Sequence, residues 1–337
     1  MLDVEIRALA VALAAMAAAS VAACDRKRPP ADVGPSAAPS PSPSSDALPA
    51  LAAVASSDGC RLPRATWRFP AVARVVAVGD IHGDRAAMLR VLRLAGVVDD
   101  AMRWTGGTTW VVQTGDLLDR GDDEQQILDD LERLEGEAAA AGGRLVWLNG
   151  NHELMNTAGD LRYVTPGGLV DFEDVAGLDR ARFASAPAET RARLAAFAPG
   201  APYAGVLAGQ NIVAVVGETA FVHGGILPGV AAGLDDANHA ARCWLAGQGP
   251  SPAVLEDVRG PLWDRSLATD DVDCAVLDRA LRELGVARLV VGHTPQPAGI
   301  SNACDGKVWR IDVGLARYYG GPTQALELTA TGAKVLR

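Results

Sequence analysis

Histidine is scarce in this chain, five among 337 residues, so little of it is left for packing. Cysteine is equally scarce and never clusters, which argues against a structural zinc site of the finger or ribbon type. Positive charge forms no block beyond Arg26-Lys27-Arg28 against a formal net charge of −10, so neither a nucleic-acid groove nor an acidic-lipid patch is expected. The apolar run near the start is shorter than the roughly 20 residues that span a bilayer. No internal repeat is visible. What remains is ordinary globular composition, 49% hydrophobic and 21% charged, enough to bury a sizeable core.

The run Ala8 to Ala23 ends in Val21-Ala22-Ala23-Cys24, small residues directly before a cysteine. Residues 1–23 therefore read as a lipoprotein-type signal peptide, with Cys24 the lipidated new N-terminus. Asp3 and Glu5 dilute the basic start that Arg7 supplies, and a plain secretory signal or uncleaved anchor is the alternative. All of these readings export the protein to the cell envelope or periplasm. Residues 24–58, rich in Pro, Ser and Ala without apolar periodicity, read as an extended linker, and 59–337 as one folded domain. Four cysteines remain, an even number in an exported chain, and they permit three connectivities. The expected pairs are Cys60 with Cys304 and Cys243 with Cys274, and free buried thiols are the alternative.

From Arg74 the chain alternates short apolar runs with helical periodicity. V-V-A-V, W-V-V-Q-T at 110–114 and R-L-V-W-L at 144–148 read as strands, separated by helices over 85–94 and about 123–141. This β-α-β-α-β order predicts a parallel sheet. Residues 154–205 read as an irregular, partly helical insertion. Strands are expected at 211–216 and 219–222, a hairpin around Gly217-Glu218, then at 288–291, 308–313, 325–328 and 334–336, with a helix near 272–284.

Four of the five histidines lie in five polar blocks placed at strand ends: G-D-I-H-G at 79–83, G-D-L-L-D-R-G at 115–121, G-N-H-E at 150–153, H-G-G at 223–225 and G-H at 292–293. Carboxylate, imidazole and amide donors in one set suit Mn, Fe or Zn. Glycine beside each donor allows the tight turns that bring separate loops to one point. A single block is an ordinary Gly-Asp turn; five in order are a ligand set for two metal ions.

This series resembles the phosphoprotein phosphatase branch of the calcineurin-like metallophosphoesterases. The continuation M-N-T-A-G-D-L-R-Y-V at 155–164 and G-P-L-W-D-R at 260–265 resemble the bacterial Shewanella-like phosphatases within it, and the likeness covers about 72–322. It implies an α/β four-layer sandwich, two mixed β-sheets flanked by helices. It implies that Asp80 and His82 bind a first metal, that Asp116 bridges, and that Asn151, His223 and His293 complete the second. It further implies a hydroxide shared by the metals that attacks phosphorus in line. His152 matches the residue that protonates the departing oxygen and Asp119 its carboxylate partner. Arg120, Asn151 and Arg265 match the phosphate-binding positions. Two divalent metals are the implied cofactors, with manganese favoured for activity in vitro. The implied substrates are phosphoserine, phosphothreonine or phosphotyrosine in proteins, or small phosphomonoesters, acted on by a monomer.

Glu153 reads as a hydrogen-bond acceptor behind the ligands. Arg162 and Tyr163 read as stabilising the insertion, with lining of the substrate mouth the alternative, Tyr318 and Tyr319 as core packing or site approach, and His239 as an exposed helix residue. Asp119 with Arg120 could also form a mere surface ion pair. Hydrolysis of dinucleoside polyphosphates or another phosphoanhydride is the rival activity. A metal-binding envelope lipoprotein without turnover is the rival of a different class.

Overall fold

The computed structural model describes residues 59–337; the signal segment, the linker and Cys24 lie outside the described residues. Branched aliphatic runs form β2 (Arg74–Val78), β3 (Trp110–Gln113) and β4 (Arg144–Trp147), all parallel. Such runs suit strands covered on both faces. Between them, α1 (Arg85–Leu94) starts where the Asp84 carboxylate accepts the Ala87 N–H at 2.8 Å, and buries Ala87, Met88, Val91 and Leu92. The helix α2 (Glu124–Ala140) buries Ile127, Leu128, Leu131, Leu134 and Ala138, a stripe at helical spacing.

Adding β10 (Ala325–Thr329) and β11 (Gly332–Leu336) gives a five-stranded mixed sheet, ordered β11-β10-β2-β3-β4. A six-stranded mixed sheet, ordered β1-β5-β6-β7-β9-β8, holds β1 (Arg68–Phe69), β5 (Val213–Val216), β6 (Thr219–Val222), β7 (Arg288–Val291), β8 (Ser301–Ala303) and β9 (Val308–Arg310). Buried residues of both sheets belong to one continuous core. The helix α3 (Asn151–Thr157) leads into the insertion, which carries α4 (Pro166–Val170) and α5 (Arg191–Phe197) and runs into α6 (Pro202–Ala208); α7 (Leu234–Leu245) and α8 (Cys274–Leu284) follow.

Most expected strands are present with edges shifted for identifiable reasons. β5 begins at Val213, and the N–H groups of Ile212 and Val213 are both taken by the Asn238 side chain, at 2.8 and 3.2 Å. β9 ends at Arg310; the Ile311 N–H still reaches the Val291 carbonyl at 2.9 Å, and the Ile311 carbonyl packs against Gly79 of the first polar loop. β1 and β8, of two and three residues, are too short to show a period in sequence.

Two expectations are corrected. The disulfides pair Cys60 with Cys243 and Cys274 with Cys304. β1 aligns on β5, and the segment before it lies against α7, where Arg242 donates to the Pro63 carbonyl at 2.9 Å. That contact sets Cys60 beside Cys243. Likewise β7, which follows α8, pairs with β9, and the β8–β9 turn brings Cys304 to the start of α8, where Lys307 also reaches Asp278 at 2.7 Å. His239 is buried rather than exposed, 3.6 Å from Cys243 Sγ, because the same N-terminal segment covers that side of α7.

Non-reducing peptide mapping should recover Cys60–Cys243 and Cys274–Cys304 and neither alternative pairing. Replacing Cys60 and Cys243 with serine should cost about 3 kcal/mol of stability, because their bond closes a long loop in the unfolded chain. Thermal melting of the variant against the parent checks this.

Candidate functional site

β2, β3 and β4 run parallel, as do β6, β7 and β9, so the loops after these strands gather at the strands' carboxyl ends. The two sets touch. A Cβ added at Gly292, after β7, would stand 2.5 Å from Asp80 Oδ1 and 2.8 Å from Thr114 Oγ1, so glycine leaves room there for these side chains from the other set.

Asp116 lies at the centre. Its carboxylate is 3.2 Å from His223 Nε2 and 3.7 Å from the Nε2 atoms of both His82 and His152. Asp80 lies 4.0 Å from His82 Nε2 and accepts the His293 N–H at 3.1 Å. Asn151 Oδ1 lies 2.9 Å from His223 Nε2. Two triads, His82-Asp116-His152 and Asp116-His223-His293, each place one donor atom per residue within 4.8 Å of the others. All six sequence-predicted metal ligands are therefore brought together, and all are buried.

Hydrogen bonding orients the rings. Nδ1 of His82 faces the Leu118 carbonyl at 3.0 Å and Nδ1 of His223 the Thr114 carbonyl at 3.0 Å, which assigns N–H to Nδ1 and a free lone pair to Nε2. Burial lowers His82 to about 4 and His293 to about 2, so both are neutral and able to ligate. His293 Nε2 is buried without any hydrogen-bond partner. An orphaned imidazole nitrogen amid carboxylates fits a metal ion, and the donor set of O and N atoms fits Mn, Fe or Zn.

The acids are arranged to need cations. Burial and the neighbouring Asp312 and Asp116 charges raise Asp80 well above the usual carboxylate range. Burial raises Asp116 too, but the surrounding imidazoles of His223, His152 and His82 outweigh it and hold the group low. Asp312, fully enclosed after β9 and pushed up to about 6 chiefly by burial, is a site residue that the sequence reading did not single out. It stands in W-R-I-D-V, an apolar run whose lone carboxylate was the available signal.

His152 and Asp119 form a buried pair, Nδ1 to Oδ2 at 2.5 Å. The reading of Asp119 with Arg120 as a surface ion pair does not hold. Burial alone would lower the His152 pKa, but the charges of Asp116 and Asp119 reverse this and raise it, which suits a proton donor. Glu153 takes the N–H groups of Asp116 (2.9 Å), Leu117 (2.7 Å), Leu118 (3.1 Å) and Gly150 (2.6 Å), so it fastens two ligand loops as read. Those loops are strained. His82, Asp116, Asp119, Arg120 and His293 all have left-handed φ, 48° to 69°, at roughly 1–3 kcal/mol each.

At the rim, the Arg120 guanidinium lies 4.2 Å from the Tyr163 ring centre and 5.0 Å from that of Tyr318, whose hydroxyl accepts from Nη1 at 3.0 Å. Tyr319 lies over His82, ring centres 5.4 Å apart. Core packing is thus the wrong reading for Tyr318 and Tyr319, which are 59% and 38% exposed. Tyr163 likewise faces the site, 5.2 Å from the His152 ring, whereas Arg162 pairs with Asp160 inside the insertion as expected. Arg265 is exposed and donates to the His293 carbonyl at 2.7 Å, which places it beside the ligands.

Arg193 was missed. It is fully buried on α5 and joins Glu124, Asn156 and Asp119. Its signal was position: it falls three and four residues before the buried Ala196 and Phe197, on the apolar face of a helix.

Comparison with known proteins agrees with this geometry. A model of the calcineurin-like phosphoesterase family matches residues 73–297. Shewanella-like protein phosphatase 2 of Arabidopsis thaliana is 40% identical over 286 residues, covering 74% of this chain and 73% of the relative. Shewanella-like protein phosphatase 1 of Plasmodium berghei is 27% identical over 265 residues, covering 74% and 69%. Among solved structures, a cold-active protein tyrosine phosphatase superposes with a TM-score of 0.65 at 25% identity, covering 84% of this chain and 83% of that one.

Glu153→Ala should strip four buried N–H groups of their acceptor and destabilise the fold by about 3 kcal/mol or more. Denaturant unfolding of the variant against the parent measures the loss.

Proposed function

The chain belongs to the calcineurin-like phosphoesterase family, and with that as premise we propose that it is a protein phosphatase working at a dinuclear metal centre. The family makes it a metal-dependent hydrolase. The observation that carries the finer reading is the buried His152–Asp119 pair, 2.5 Å long, with His152 Nε2 turned to Asp116 at 3.7 Å within the cluster of candidate metal donors.

In this reading Asp80, His82 and Asp116 hold one divalent ion, and Asp116, Asn151, His223 and His293 hold the other. When bound, the two ions supply Lewis-acid charge and lower the pKa of water to near neutral. The protein's own residues do the rest. Arg120 and Arg265 grip phosphate oxygens with planar forks, and Asn151 adds an amide donor. Asp119 holds Nδ1 of His152, so that Nε2 faces the site and delivers its proton to the departing oxygen. Manganese, iron or zinc all suit this donor set.

Phosphotyrosine is the favoured substrate group within phosphoproteins. Tyr163, Tyr318 and Tyr319 form an exposed aromatic rim around Arg120, a surface for an aryl ring whose phosphate reaches inward. The likeness to a cold-active protein tyrosine phosphatase supports the same choice. Two disulfides support an oxidising compartment, in keeping with export to the envelope, lipid-anchored through Cys24.

Protein stripped with chelator should regain hydrolysis of p-nitrophenyl phosphate and of a phosphopeptide when supplied with manganese, iron or zinc. Activity on diadenosine tetraphosphate alone would move the reading to an anhydride hydrolase. Asp116→Asn should abolish turnover by loosening both ions, whereas His152→Asn should keep two ions per chain and depress turnover by about 10²-fold or more. Metal analysis beside kinetics decides between them; metal loss in the His152 variant would remove its assignment as acid. Tyr163→Ala and Tyr318→Ala should raise KM for phosphotyrosine peptides about tenfold and leave phosphoserine peptides nearly unchanged, as read by steady-state kinetics on matched peptides.

A further inference from the structure

Arg193 lies in the insertion, remote in sequence from every polar block, yet it uses all five of its N–H donors beneath the site. Nε donates to Asn156 Oδ1 at 2.7 Å. Nη1 donates to Glu124 Oε2 and to the Gly168 carbonyl, the latter at 2.7 Å. Nη2 donates to Glu124 Oε1 at 2.8 Å and to Asp119 Oδ1 at 3.4 Å. Its guanidinium carbon also lies 5.4 and 5.3 Å from the ring centres of Phe172 and Phe197, both fully buried.

Apart from the Gly168 carbonyl, each partner in this set is Asp119 itself or touches it. Glu124 accepts the Asp119 backbone N–H, which fixes a residue held at φ 68°. Asn156 donates to Asp119 Oδ1 at 3.0 Å and to the His152 carbonyl at 2.9 Å. Arg193 thus occupies the oxygen of Asp119 that His152 does not use, braces the residue that fixes its backbone, and orients the amide that spans Asp119 and His152. A planar fork can serve these directions at once; an ammonium cannot.

We propose that Arg193 is a positioning residue for proton delivery to the leaving group, acting through Asp119 on His152, and that the insertion supplies it. The proposal rests on the reading of His152 as the acid. It predicts a signature that a general loss of fold does not produce: substrates that need a proton on departure suffer, and those that leave readily as anions do not.

The test measures kcat and KM for the full chain on aryl phosphates graded from 2,4-dinitrophenyl to phenyl phosphate, with metal content and melting temperature recorded for each variant. Arg193→Lys should lose about ten- to hundredfold in kcat on phenyl phosphate and under about threefold on 2,4-dinitrophenyl phosphate, with KM unchanged and two ions retained. Asn156→Ala, which removes three of the hydrogen bonds and leaves the ion pair, should show the same slope at smaller size and serves if the arginine variant does not fold. In a His152→Asn background, Arg193→Lys should add no further loss on phenyl phosphate.

A uniform loss across the series, or loss of metal, in both Arg193→Lys and Asn156→Ala while His152→Asn shows a steep slope, would overturn the role of Arg193 alone. A flat series for His152→Asn itself would overturn the acid assignment and the proposal with it.

Discussion

Burying carboxylates where two sheets meet is the constraint on which the rest of this structure depends. Asp80, Asp116, Asp119, Glu124, Glu153 and Asp312 are all nearly or fully enclosed, and each buried charge is costly unless compensated. The compensation divides the site. Glu153 is met by four backbone N–H groups, and Glu124 and Asp119 by Arg193. Asp80 and Asp116 have imidazoles and backbone N–H groups but, among the described residues, no guanidinium or ammonium group in contact. That half of the cluster is the half whose charge divalent ions would balance.

The division also explains the strain. Left-handed backbone at His82, Asp116, Asp119, Arg120 and His293 turns short loops sharply enough to aim side chains from different strands at one point. Such conformations persist only where the surroundings over-determine them. Here Glu153 ties the Asp116 loop to the start of α3, and Asp84, capping α1, also accepts the Arg317 N–H at 2.7 Å and so anchors the segment that carries Tyr318 and Tyr319. Catalytic geometry and fold stability share these hydrogen bonds.

The insertion has two duties from one segment. Tyr163 meets Arg120 and His152 at the rim, and Arg193 reaches Asp119 from below. One disulfide ties the start of the domain to α7 and the other ties α8 to the β8–β9 turn.

The polar blocks and the β-α-β-α-β order were legible in the chain, because strand ends, helix caps and metal donors all leave local signatures: G-D-I-H-G or G-N-H-E carries its chemistry within five residues. Which sheet each later strand joined, the cysteine pairing, the burial of His239 and the parts played by Arg193, Asp312 and the three rim tyrosines were decided only by tertiary structure. Each depends on a partner more than twenty residues away, or on which side of an element another segment happens to cover, and no local period encodes that. The sequence by itself therefore determined the kind of chemistry and the strand ends that hold it. The packing of distant segments decided how the buried charges are balanced, and so which residues set the geometry of the site.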